Sequence, residues 1–343
     1  MKILRRKWAS VALIFIMLAA VHAHAEDGKI SGYLFGDYYW FAKNHDTAQE
    51  NQNGFWIRRG YFTYDKDLDE QFTSRFQLEV NQDDFTSTTS TKMTPFVKTA
   101  YLKRKGKLHD FTVGLSDTPT LTLVEHHWGY RSVEKTPLDL QKIGASRDLG
   151  LAYEGHLDAN KHFGYHLMIG NSSGTGHETN KNKKIYLALN AAPADDFIVQ
   201  LYGDYENNKK NAPNTSTSVL QAFAGIKTGW GRAGLLFAQS TEEQGENAAD
   251  QKIRLASAYG VLKITDKTAA FARVDHLFDA NPQGDKIAYI PMVKDAESTL
   301  FILGADYKAA NNVSIQPNVE VVTYSGTKYD EDIIPRITLF YQF

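Results

Sequence analysis

The chain has 343 residues with 38 basic and 40 acidic side chains and no cysteine, which excludes disulfides and thiolate metal sites. With no basic stripe and no nucleic-acid motif, a nucleic-acid partner is excluded as well. Past the first 25 residues no apolar run approaches the roughly 20 residues that a membrane helix requires, so a helical membrane protein is excluded, yet 18 Tyr and 19 Phe make a polar chain strongly aromatic.

Residues 1–25 read as a secretory signal peptide. Lys2, Arg5, Arg6 and Lys7 form a basic start, Ala9 to Ala20 an apolar run, and Ala23-His24-Ala25 a cleavage site. Removing them, with their four basic side chains, leaves 318 residues carrying 34 basic and 40 acidic ones, a formal charge of −6. No linker or composition shift divides residues 26–343, so they read as one domain.

Along that domain a strand of about ten residues and a turn recur. Phe72, Phe76, Leu78 and Val80 alternate with Thr73, Arg75, Gln77, Glu79 and Asn81; Phe163, Tyr165, Leu167 and Ile169 alternate with Gly164, His166 and Met168. The period of two gives one apolar and one polar face. About 16 strands, within 14 to 18, are expected. They start near Lys29, Phe55, Phe72, Phe96, Asp110, Asp148, His162, Lys184, Phe197, Ser218, Arg232, Lys252, Thr268, Thr299, Asn312 and Ile333. Short connections such as Asp67 to Glu70 and Gly229 to Gly231 alternate with long ones such as Asn44 to Asn53, Asp83 to Thr91, Ser172 to Asn182, Asn207 to Thr217, Thr241 to Gln251 and Ala280 to Ala296. That alternation predicts an all-β fold, a transmembrane antiparallel up-and-down barrel with turns on one side and outward loops on the other.

The last strand ends on Ile337, Leu339, Tyr341 and Phe343 in alternation. It resembles the C-terminal signature of bacterial outer-membrane proteins, which implies recognition by the barrel-assembly machinery, with Tyr341 and Phe343 as the assembly signal. Further patterns are Trp56-Ile57-Arg58-Arg59-Gly60-Tyr61, Thr99-Ala100-Tyr101-Leu102, Ser146-Arg147-Asp148-Leu149-Gly150, Ile169-Gly170-Asn171-Ser172-Ser173-Gly174 and Arg273-Val274-Asp275. They resemble the phosphate-selective porin O and P family and its relatives among sixteen-stranded porins. The resemblance implies a water-filled channel for passive diffusion of small hydrophilic solutes and ions across the bacterial outer membrane, a homotrimer in lipid, a third long loop folded into the pore, and an anion or phosphate preference. One departure bears on the last: phosphate selectivity in that family rests on many basic pore residues, whereas this mature chain is acidic and sets Glu79, Glu154 and Glu320 on polar strand faces.

Selectivity in such a pore is set by charge near its narrowest point. The longest connection, Thr118 to Arg147, is the candidate constriction, with Glu125, His126, His127, Trp128, Arg131, Glu134, Lys135 and Asp139. Facing it, Arg59, Arg75, Arg273 and Arg336, with Glu79 and Asp275, are expected to line the pore, because an Arg on the lipid face near the midplane costs about 2 to 4 kcal/mol. Arg58 adjoins Arg59 and cannot share its face in a regular strand, so one of the two is expected at the rim. Metal binding at Glu125-His126-His127 is not expected, since adjacent side chains of an extended chain diverge and a third His at a familiar spacing is missing. Asp279 to Ile290 mimics the first half of a calcium loop without its terminal Glu, and no P-loop, dinucleotide fingerprint or nucleophile elbow occurs. No cofactor and no enzymatic activity are expected; the alternative is an outer-membrane barrel enzyme of the lipase or protease type, which would need a nucleophile beside a base.

Overall fold

The computed structural model describes residues 28–82, 92–179, 181–207, 215–245 and 248–343. The signal segment, the Asp83 to Thr91 connection apart from its neighbours, and parts of three other outward connections lie outside the described residues. Sixteen strands run in chain order: β1 (Gly28–Trp40), β2 (Asn53–Asp67), β3 (Phe72–Asn81), β4 (Thr94–Arg104), β5 (His109–Asp117), β6 (Arg147–His156), β7 (Phe163–Gly170), β8 (Lys184–Ala194), β9 (Phe197–Asn207), β10 (Thr215–Thr228), β11 (Gly231–Gln244), β12 (Gln251–Lys263), β13 (Thr268–Leu277), β14 (Ser298–Ala310), β15 (Val313–Tyr324) and β16 (Asp332–Gln342). Each pairs antiparallel with its chain neighbours, and β1 closes on β16. The starts agree with those expected from alternation to within three residues, because a lipid face must be apolar at every second position.

That outer face carries Ile57, Phe76, Leu151, Leu187, Leu235, Phe301 and Leu339, all exposed. Aromatics mark its two margins, Tyr38, Trp40 and Phe55 toward the long connections and Phe163, Phe197, Trp230 and Phe343 toward the short turns, as the interfaces of a membrane barrel require. At the seam the Phe343 N–H donates to the Gly32 carbonyl (2.9 Å), and Gly32 donates back (3.0 Å). A Cβ on Gly32 would stand 2.5 Å from the Phe343 ring, so glycine there leaves room for the terminal aromatic. Closure removes the exposed edges that an open sheet would present.

Among the described residues the register shifts at four places, near short turns at Lys308/Ala310 and Ala191/Ala194, and within the barrel wall between Phe35 and Gly36 opposite β2 and between Gln77 and Leu78 opposite β4; the last two bear on the interior. Each of these two bulges inserts one unpaired residue, Arg58 on β2 and Lys98 on β4. Arg58 and Arg59 therefore both turn inward, which corrects the expectation that one of them sits at the rim: the bulge resets the phase of the strand. Lys98 and Thr99 share the inner side for the same reason, both being buried while Val97 is exposed.

Candidate functional site

Residues 118–146 leave β5 and return into β6 by way of two short helices that the strand pattern did not foretell. The first, α1 (Thr122–Trp128), stops at Gly129, whose φ of 70° admits the left-handed turn and whose N–H caps the Glu125 carbonyl at 2.9 Å. The second, α2 (Pro137–Leu140), starts on a proline, preset for a first helical turn. Leu121, Val124, Trp128, Val133, Leu138 and Leu140 are buried. Trp128 packs edge-on against Tyr259 of β12 and Phe271 of β13, and Tyr130 packs on Phe271 at 4.4 Å.

Side chains from the strands hold this segment by its carbonyls. Arg232 of β11 donates to Trp128 O (2.8 Å), Arg273 of β13 to Lys135 O (2.6 Å), and Arg58 of β2 to Val133 O (2.8 Å) and Ser132 O. Ser132 donates to Gln316 of β15 at 2.7 Å. Behind these bonds lies a buried layer of ion pairs. Asp37 takes Arg58 at 2.5 Å and the Thr338 hydroxyl; Arg336 stands between Glu320 at 2.8 Å and Glu134 at 3.6 Å; Arg273 pairs with Asp275. Breaking one such buried pair by truncating a single partner costs about 3–5 kcal/mol, so the segment is fastened along most of its length.

The opposite wall is built differently. Glu79 of β3 bridges Arg59 at 2.5 Å and Lys98 at 3.0 Å. Beside them Arg147, at the start of β6, pairs with Asp117 and donates to Thr99 at 3.0 Å. The edge of the 118–146 segment nearest this wall carries Arg131 between Glu125 at 3.3 Å and Asp139 at 3.6 Å. Burial would push the Asp139 carboxyl up, but Lys135, Arg131, Arg59 and Lys98 together hold it below the usual carboxylate range. Toward the short turns, α1 borders a cavity of about 700 Å³ lined also by Lys227, Arg232, Lys263 and Lys308.

Residues 9–328 match the model of the Gram-negative porin family. The chain belongs to the Gram-negative porins. No curated protein sequence matches it. Among solved structures it is similar to the anion-selective porin from Comamonas acidovorans, with 10% identity, 92% of this chain and 99% of that one covered, and a TM-score of 0.67. It is similar also to OmpT of Vibrio cholerae in trimer form (14% identity, 93% and 100% covered, TM-score 0.62) and to OmpF of Salmonella typhi in complex with daunomycin (11%, 92% and 97%, TM-score 0.65). Identities this low establish the fold. Family and barrel together make the chain an outer-membrane channel for small solutes.

In this porin the residues singled out from sequence separate into three groups. Arg59, Glu79, Glu125 and Arg131 stand together at the wall and segment edge described above. Arg273, Asp275 and Arg336 face inward but are covered by residues 118–146, to which Glu134 and Lys135 themselves belong, and each of the five is less than a tenth exposed. Arg75 and the two histidines lie elsewhere. Arg75 also faces inward but forms a two-pronged pair with Asp65 (2.7 and 3.0 Å) toward the short turns. His126 is exposed to the cavity under α1. His127 turns to the wall, bonded to Tyr259 at 2.5 Å and edge-on to Phe223, and its burial, with Arg232 and Lys227 nearby, lowers its proton affinity. Tyr341 and Phe343 lie on the outer face at the seam.

Among the interior residues that sequence reasoning missed, Arg58, Lys98 and Tyr289 show why. Arg58 and Lys98 depend on bulges, which leave no trace in a period-two pattern. Tyr289 belongs to residues 278–297, read from sequence as an outward loop, yet Ile287, Tyr289, Ile290 and Met292 are buried. The apolar cluster Ile287 to Val293 inside an otherwise polar connection was the available signal.

Proposed function

We propose that solutes cross this porin by passive diffusion through a water-filled gap between the Glu125-Arg131-Asp139 edge of residues 118–146 and the β2–β6 wall carrying Arg59, Lys98 and Arg147. The observation that carries this reading is the fastening of residues 118–146 to inward side chains of β2, β11, β13 and β15, which supports a constriction narrowing one side of the barrel. Carboxylates of the edge and cations of the wall then set a transverse field where water is limited and screening weak.

Around the gap five cations, Arg59, Lys98, Arg131, Lys135 and Arg147, face four carboxylates, Glu79, Asp117, Glu125 and Asp139. An excess of one supports a weak anion preference and not a phosphate specialist. Assembly as a homotrimer, as in the trimer form of the Vibrio cholerae relative, and recognition of the β16 end by the assembly machinery complete the reading. Planar-bilayer recording in a salt gradient tests it. Stepwise channels with a small reversal potential of anion-preferring sign, and conductance that does not saturate with phosphate, are expected; strong cation selectivity or tight phosphate saturation would contradict it.

A further inference from the structure

Residues 278–297 form a second inward segment. A short 3-10 turn, Gly284–Lys286, redirects the chain, and Asn281 grips Gln141 of the first segment through its carbonyl (3.0 Å) and side-chain oxygen (2.9 Å). The Gln141 amide in turn reaches the Met292 sulfur at 3.6 Å. Tyr289 occupies the point where both segments meet β2. Its carbonyl accepts from Arg336 at 2.6 Å and its ring meets Trp56 edge-on at 5.4 Å. The ring also lies under three cations, Lys135 at 4.8 Å, Arg58 at 4.9 Å and Arg59 at 5.6 Å, and its oxygen accepts from the Arg59 Nε.

Of these cations Arg59 alone belongs to the β2–β6 wall of the proposed gap; Arg58 is bonded behind it to Asp37 and the Val133 carbonyl, and Lys135 belongs to residues 118–146, where it acts on Asp139. A guanidinium spread across an aromatic face, with its Nε donated to a phenol, has less reach and less uncompensated charge toward water than a free one. We propose that Tyr289 is a selectivity-determining residue of this pore: by holding Arg59 back it withholds cationic charge from the lumen. The inference rests on the pore reading above and adds to it a residue that acts through Arg59.

The phenol also confers a dependence on alkaline pH. Against its ring lie Arg58 and Arg59 from β2 and Lys135 from residues 118–146, Arg131 of the same segment acts on it electrostatically, and Arg336 from β16 holds its backbone carbonyl. Burial would raise its pKa, but Arg59, Arg131, Lys135 and Arg58 outweigh that and hold it below the ordinary tyrosine value. As pH rises through the alkaline range the phenol ionises more readily than an ordinary tyrosine, and its anion compensates Arg59 further.

The test compares wild type with Tyr289→Phe and Tyr289→Ala, refolded and reconstituted in planar bilayers, by conductance and reversal potential in potassium chloride gradients at about pH 7 and 9.5. Tyr289→Phe keeps the ring and loses the acceptor, so conductance stays while the anion-to-cation permeability ratio rises about twofold, within what one cation does to local counter-ion concentration in a narrow lumen. The wild-type ratio falls between the two pH values more than that of Tyr289→Phe. Tyr289→Ala raises both ratio and conductance. A Tyr289→Phe channel with wild-type selectivity and wild-type pH response overturns the inference and leaves the pore intact. A wild-type protein that folds and conducts no ions overturns the pore reading and this inference with it.

Discussion

The two walls of this barrel face the same lumen and are made of different materials. On β3 to β7 the inward side chains include Arg75, Glu79, Lys98, Lys103, Glu154 and His166, and several remain partly exposed to the interior. On β11 to β16 they include Leu236, Ala238, Ile253, Leu255, Phe271, Leu300, Ile302, Val322 and Ile334, all buried under residues 118–146 and 278–297. The first wall obeys the lumen rule of a membrane barrel, polar inside and apolar outside. The second is apolar over much of its inner face as well as outside, with its inward charges Arg273, Asp275, Glu320 and Arg336 paired and buried, because one face meets lipid and the other meets protein. A porin with these walls is lined by charge on one side and by folded core on the other, and in the proposed reading the core fixes where the channel runs.

Mutations should therefore hurt stability on one wall and ion passage on the other. The largest effect is expected from Trp128→Ala. Its indole fills the packed half, donates to Glu134 O at 3.1 Å and lies under Arg273. Its loss should cost about 3–5 kcal/mol and loosen the segment, read as a lower unfolding temperature of the barrel on unboiled gels and as noisier, larger single-channel currents. Unchanged currents would detach the segment from the channel.

Next comes a matched pair of arginines. Arg58→Met strands a buried carboxylate, Asp37, and should destabilise by about 3–5 kcal/mol. Arg75→Met breaks a pair that is about a third exposed and should change stability by about 0–1 kcal/mol. Denaturant titration of both variants, refolded in the same detergent, checks the ratio; equal losses would erase the distinction between covered and open parts of the interior.

The smallest effect concerns the segment edge. Asp139→Asn should move the reversal potential further toward anions without altering stability by more than about 1 kcal/mol. A carboxyl of ordinary pKa, about 4, is half neutral at pH 4, but Asp139 is held lower and is more ionised there. The shift from Asp139→Asn should consequently persist at pH 4. By linkage, its depressed pKa stabilises the fold above the unfolded-state value, and that contribution disappears only as pH falls through the lower folded-state value. A shift already lost at pH 4 would mean that the surrounding cations do not act on Asp139.

Much of this was legible in the sequence, for reasons that vary with the residue. Strand positions followed from alternation, since lipid imposes it on every strand, and the length of residues 118–146 announced a special connection. Arg58 and Lys98 stayed hidden because one extra residue in a bulge changes phase without changing composition. The packed wall did leave a mark: Leu235-Leu236, Leu300 to Leu303, Val321-Val322 and Ile333-Ile334 are apolar on consecutive positions, where a water-lined strand would alternate. Those doublets, together with Ile287 to Val293, state that both faces are dry, but such a pattern is informative only once the strands are known to form a barrel. Arg273 and Arg336 could be placed inward by phase alone; that protein would cover them could not.

The division into an open and a filled wall is tested most directly by accessibility in this cysteine-free chain. Cysteine is introduced singly at Glu154, whose side chain is 34% exposed on β6, and at Ala238, fully buried on the inner face of β11. A water-soluble, membrane-impermeant cationic thiol reagent is then applied during bilayer recording. Glu154→Cys should react within the experiment and step the current to a new level, while Ala238→Cys in the folded barrel should remain unlabelled with unchanged current. Rapid labelling at Ala238, or none at Glu154, would contradict it and put the water path on the other side of the barrel.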